Sequence, residues 1–141
     1  MISRKDVLLL AKDWIEAEEE AEKAKARADE ARDNEATARD DFSDAAQNYN
    51  YELGDFSEID DRPEEGDDPN NDRFYAAELE SVKALADAAE DAEEARLGWL
   101  EATEKKEEAE EEEKRAEAAA TKEFLNFIKE VKDIIDNIKE L

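Results

Sequence analysis

Apolar side chains recur along the first third of the chain in steps that alternate three and four. The row runs Val7, Leu10, Trp14, Ala17, Ala21, Ala24, Ala28, Ala31, Glu35, Ala38, Phe42, Ala45, Tyr49, and Glu35 alone among its thirteen positions is neither apolar nor aromatic. A seven-residue repeat of this kind lays one helix face against a partner helix, so the row predicts a coiled-coil seam. Ser3 and Asp6 have the Ser-x-x-Asp spacing of a capping box, with Ser3 as N-cap. Helix 1 is therefore expected over about residues 3–48. Glu35 within the seam is read two ways, as a polar core residue that sets register or dimer state, or as an exposed turn.

The pattern changes over residues 49–72, an acidic connector. Gly54, Pro63, Gly66, Pro69, Asn70 and Asn71 break helices or form turns. Residues 52–72 hold ten acids against one base, Arg62. The first half of the connector is expected to be partly ordered by packing Tyr51, Leu53, Phe56 and Ile59, the second half to be a solvated acidic loop.

Helix 2 is expected over about residues 73–97, with Asp72 as its N-cap and Phe74, Tyr75, Leu79, Val82, Leu85, Ala89 and Ala92 on one face. Gly98 costs a helix about 1 kcal/mol relative to alanine and predicts a kink or break. Residues 98–140 are thus read as helix 3 or as the continuation of helix 2. Trp99, Ala102, Ala109, Ala116 and Ala120 follow at heptad-like steps. Phe124, Ile128, Val131, Ile135 and Ile138 step by four and three, and Phe127, Ile134 and Leu141 widen that face.

Both long segments have large apolar ends and an alanine-rich middle. They match as an antiparallel hairpin in which paired residue numbers sum to roughly 140. This register sets Trp14 near Phe124 and Leu125, Leu10 near Ile128 and Val131, Ala31 near Ala109, and Phe42 near Trp99. The expected fold is all-α: one helical domain, a long antiparallel coiled-coil hairpin with an acidic, partly ordered connector. The C-terminal face is wider than one partner helix covers. Phe124, Phe127, Ile128, Val131, Ile134, Ile135 and Ile138 are therefore the candidate apolar interface, and a homodimeric bundle is expected.

Composition narrows the chemistry. The 141 residues include no Cys and no His, which removes disulfides, thiol nucleophiles, imidazole bases and nearly all zinc chemistry. No apolar run is long enough to span a membrane, and the N-terminal stretch lacks a signal-peptide core, so a cytoplasmic protein is expected. An EF-hand alignment of the acidic loop puts Asp61 first, Pro63 third and Asp72 twelfth, where Pro63 has no ligating side chain and Asp72 stands in place of the usual Glu. The many carboxylates lack an apolar pocket to perturb them, a di-iron site wants Glu-x-x-His, and three scattered glycines make no nucleotide loop. The protein is read as non-enzymatic, with no cofactor and no metal.

Charge points to partners. The formal net charge is -25, from 45 acids against 20 bases. Direct nucleic-acid binding needs a basic footprint, and anionic membranes repel such a chain. A basic protein partner is expected, one that itself binds nucleic acid, with this chain mimicking the nucleic acid and inhibiting it. Acidic helical proteins of phage and mobile elements, including anti-restriction and anti-CRISPR inhibitors, are similar in size and charge; the similarity is one of composition. Glu16–Glu22 and Glu107–Glu113 hold acids and alanine with no base, a self-repulsion that ordinary coiled coils relieve by interleaving signs. The candidate partner-binding acids are Glu18, Glu19, Glu20, Asp60, Asp61, Glu110, Glu111, Glu112 and Glu113. The alternative is a structural or adaptor coiled coil that oligomerises or recruits a partner through its apolar ends. Adaptation to high salt is the third reading.

Overall fold

A computed structural model describes residues 3–59 and 71–139, with side chains over residues 3–57 and 77–139. It contains two helices, α1 (Arg4–Ile59) and α2 (Asn71–Lys139), packed against each other as an all-α hairpin. The chain divides into two compact units, Met1–Asp33 with Glu104–Leu141, and Asn34–Thr103. Each has its own cross-helix contacts. In the first, Trp14 lies 5.0 Å from Phe124 and 5.4 Å from Phe127 between ring centroids. In the second, Phe42 stacks on Trp99 at 5.6 Å. These pairs have the antiparallel register read from the sequence.

The start of α1 is a reciprocal capping box. The Asp6 backbone N–H donates to Ser3 Oγ, and the Ser3 N–H donates to Asp6 Oδ2, both at 3.2 Å. Two of the helix's orphan donors are thereby satisfied. All thirteen predicted seam positions of α1 are buried or half-buried. Among the described residues the buried apolar core consists of alanines: Ala21, Ala24, Ala28, Ala88 and Ala120, with Ala28 at 0% exposure. No large side chain among the described residues is fully enclosed.

Five expectations change. Gly54 does not end α1, which runs on to Ile59. The repeat continues through half-buried Glu52 and Phe56, and this packing outweighs the glycine's entropic cost. Tyr51 and Leu53 point to solvent at 66% and 39% exposure rather than packing in a connector; the Ile59 side chain lies outside the described residues. Asp72 is inside α2, which already includes Asn71, and its side chain also lies outside the described residues. Gly98 neither breaks nor ends α2, because adjacent Trp99 is held by Phe42 and a hydrogen bond.

The fifth change is the inward face of α2. Its seam runs Glu78, Ser81, Leu85, Ala88, Ala92, Ala95, Trp99, Ala102, Lys106, Ala109, Glu113, Ala116, Ala120, Glu123, Phe127, Glu130, Ile134, again in alternating steps of three and four, and every member is buried or half-buried. Leu79 and Val82, expected on the packed face, are exposed, as are Ile135 and Ile138. Two polar atoms near this seam, Ser81 Oγ and Glu130 Oε2, are buried without a hydrogen-bond partner. Buried groups left in this state lower stability.

A Cβ added at Gly54 or Gly98 meets nothing within 4 Å, and neither glycine has positive φ. Gly54→Ala and Gly98→Ala should each stabilise the protein by about 0.5–1 kcal/mol. Urea denaturation checks this; destabilisation by Gly98→Ala would reveal a bend that α2 needs at that point.

Candidate functional site

Within the first unit, heptad positions beside the seam carry the cross-helix polar contacts. Arg32 of α1 donates through Nε to Glu110 Oε1 at 3.2 Å and through Nη2 to Glu113 Oε2 at 3.1 Å, while its Nη1 bonds Asp29 Oδ1 at 2.7 Å on its own helix. The planar guanidinium fork suits three carboxylates at once. Burial pulls the Arg32 pKa down, but hydrogen bonds and charge from Glu113 and Glu110 outweigh it and leave the group above its ordinary value. On the opposite flank Arg27 holds Glu20 at 3.0 Å and stands 3.9 Å from Glu112.

These contacts sort the candidate acids. Glu113, whose side chain is only 15% exposed, and Glu110 belong to the Arg32 clamp. Glu20 and Glu112 are held by Arg27. Glu111 makes an exposed pair with Arg115 at 3.5 Å. Glu18 accepts a hydrogen bond from Trp14 Nε1 at 3.2 Å, and Glu19 is exposed. Asp60 and Asp61, and the calcium-like loop with them, lie outside the described residues. A set of acids that overlaps the candidates at Glu110 and Glu111 faces outward. Glu104, Glu107, Glu108 and Glu111 line an open groove on α2 together with Glu110 and Lys114. Sequence reasoning missed the roles of Arg27 and Arg32. Their signal was heptad position: each flanks the seam where an antiparallel partner presents the acids of Glu107–Glu113.

In the second unit, Trp99 Nε1–H donates to Glu35 Oε1 at 2.9 Å, and Glu35 is 9% exposed. The register-setting reading of Glu35 fits this contact; the exposed-turn reading does not. Nearby, the Arg96 hydrogen bonds at 2.7 and 2.9 Å, opposed by slight burial and aided by charge, hold the Glu93 carboxyl below its ordinary range. A depressed carboxyl pKa contributes stability above the unfolded value that is lost as pH falls through the folded one.

The candidate apolar interface is split by the structure. Phe127 and Phe124 flank Trp14. Val131, Ile134 and Ile135 line an open groove with Arg4 and Val7, Ile128 is half-buried, and Ile138 is 64% exposed. Among the described residues no group of acids is arranged to hold a metal ion, and no helix is long and apolar enough to cross a membrane.

Removing either partner of the Glu35–Trp99 bond should destabilise the protein. Glu35→Ala combined with Trp99→Phe in a thermal double-mutant cycle should give a coupling of about 1–2 kcal/mol; zero coupling would reduce the contact to coincidence of packing. In an NMR titration Glu93 should ionise at lower pH than in the Arg96→Gln variant. Comparison of the chain with protein-family models, curated proteins and solved structures found no match.

Proposed function

We propose that this protein is a non-enzymatic binder of a basic, nucleic-acid-binding protein, whose groove it occupies by presenting carboxylates in place of phosphates, as a phage-type anti-restriction or anti-CRISPR inhibitor does. The observation that carries this reading is the charge density of α2 beside its outward groove. Glu101–Glu113 contains eight acids and two bases, a net six negative charges on about 18 Å of helix, or one per about 3 Å. One strand of duplex DNA carries a charge every 3.4 Å or so. Counting the two cross-helix arginines, Arg32 and Arg27, against the six leaves a spacing of about 4.5 Å, wider than that of the strand but of the same order. The seam holds these carboxylates on a packed helix, so a partner need not order them first.

The clamp residues define the test. Lysine substitution of Glu104, Glu107, Glu108 and Glu111 together should abolish capture by a panel of DNA- and RNA-binding enzymes while the helical circular dichroism stays unchanged. Glu113→Lys, by contrast, should loosen the hairpin itself, because it repels Arg32. Salt should act with opposite signs on the two species. It should raise the melting temperature of the free protein by screening its self-repulsion, and dissociate the complex. Capture that survives the fourfold reversal would sink the proposal.

The adaptor reading has its own support in the apolar groove of Val7, Val131, Ile134 and Ile135. It predicts salt-tolerant capture that depends on residues 124–138.

A further inference from the structure

The two segments paired at the end of the first unit are nearly neutral as sequence but polarised as structure. Residues 3–15 and 121–139 carry seven bases and six acids. With Val7 and Trp14 of α1, and Phe127 and Ile134 of α2, taken as position a of heptads lettered a to g, every charge falls on a definite face. Two contacts in this unit fix how the faces meet. Arg32 pairs with Glu110, both at e, so the e rows of the two helices share one flank. Arg27 stands near Glu112, both at g, so the g rows share the other. Arg4 accordingly lines the e-side groove with Val131 and Ile135.

Five of the six acids, Asp6, Asp13, Glu123, Glu130 and Asp133, occupy d or g positions, away from the e flank. That flank is bordered by Arg4, Lys5, Lys12, Lys132 and Lys139, at e or f. Over these two segments no e, b or f position holds an acid; Glu18 and Glu117, both at e, close the basic stretch toward the middle of the hairpin. Between the bases lies uncovered apolar surface: Leu8, Ile15, Phe124, Ile135 and Ile138, at b or e, are 38% to 64% exposed. Among the described residues Arg4, Lys5, Lys132 and Lys139 are in no ion pair, and Lys12 stands 3.9 Å from Glu16 with both groups exposed.

Charge and shape together select the occupant. From Phe124 to Ile138 the strip is roughly 21 Å long, and its edges are basic. Its complement is an amphipathic helix with acids on both sides of an apolar stripe. The strip follows two packed helices, so a third can lie along it as in a bundle. An extended anionic surface such as a membrane is a poorer match. It would also meet Glu18, Glu19, Glu22, Glu107, Glu110 and Glu111, which continue the same flank at b, e and f. A short helix avoids them, and screening over about 8 Å at physiological salt leaves the bordering bases to set the local sign.

We infer that this flank docks an acidic amphipathic helix of about four turns from another protein, its apolar stripe on Phe124, Ile135 and Ile138 and its acids toward the five bases. The inference gives the adaptor reading its partner chemistry and rests on that reading. It uses none of the outward acids that nucleic-acid mimicry needs.

The probes are three helical peptides with one apolar stripe, edged by glutamate, glutamine or lysine, titrated calorimetrically into the full chain. The glutamate peptide should bind, the glutamine peptide several-fold more weakly and the lysine peptide at least tenfold more weakly. Lys132→Glu with Lys139→Glu should weaken the glutamate peptide at least tenfold and tighten the lysine peptide, with unchanged helicity. Lys122→Glu with Lys129→Glu, the same change of charge at c positions of the same segment, should cost less than threefold. Salt should narrow the gap between the peptides without abolishing binding, since the apolar contact remains. Vesicles of phosphatidylcholine with phosphatidylserine should not sediment the chain. Equal binding of the glutamate and glutamine peptides, or equal effects of the two lysine pairs, would overturn the inference and leave the adaptor reading standing. Failure of all three peptides, or sedimentation with the vesicles, would also overturn it; the adaptor reading itself fails only if capture does not depend on residues 124–138.

Discussion

The alanine seam is the constraint on which the rest depends. Ala21, Ala24, Ala28, Ala88 and Ala120 are buried in it, and side chains this small let two helices approach closely. Each contributes little apolar area, so the seam alone holds weakly. The aromatic clusters complete it, Trp14 with Phe124 and Phe127 in one unit, and Phe42 with Trp99 in the other. Ring contacts add about 0.5–1.5 kcal/mol each beyond burial, and large side chains in register penalise any slip along a nearly uniform alanine surface.

Polar groups beside the seam add specificity to this scaffold. Glu35 gives Trp99 Nε1–H an acceptor that a slipped register would not provide. Arg32 reaches two glutamates of α2 from one position of α1. Arginine is well suited to this place, because a fork can bind several carboxylates where an ammonium binds as a point. The same clamps thin the charge of the Glu107–Glu113 run at its inner edge and leave its outer edge free of cross-helix arginines. The acidity is thus divided by geometry into carboxylates that hold the hairpin and carboxylates turned to solvent.

The two ends of the first unit's sequence behave differently from its middle. There the charges balance and apolar residues appear in excess of what one partner helix covers. Two kinds of surface coexist in the first unit, a solvated acidic one on α2 and a partly exposed apolar one at Phe124, Ile135 and Ile138, and salt screens the first far more than the second.

The sequence by itself determined the helix-forming segments, the seam of α1, the capping box and the antiparallel register, because each is written in local spacing: three-four steps, a Ser-x-x-Asp pair, and large residues bracketing alanines. It misled at Gly54 and Gly98, where a local cost of about 1 kcal/mol is overridden by packing of the turns on either side. It left open which C-terminal row faces α1. Phe124, Ile128, Val131, Ile135 and Ile138 are the more apolar set, yet extending the steps from Trp99 through Ala120 leads to Phe127 and Ile134 by way of Glu123 and Glu130. Which of two adjacent rows faces inward depends on the helix as a whole, since 69 residues of one continuous helix must meet α1 with a single phase. Only the tertiary structure decided that, and with it which acids are clamped by arginine, because a carboxylate's partner across the seam is set by how two helices meet and not by its own neighbours in sequence.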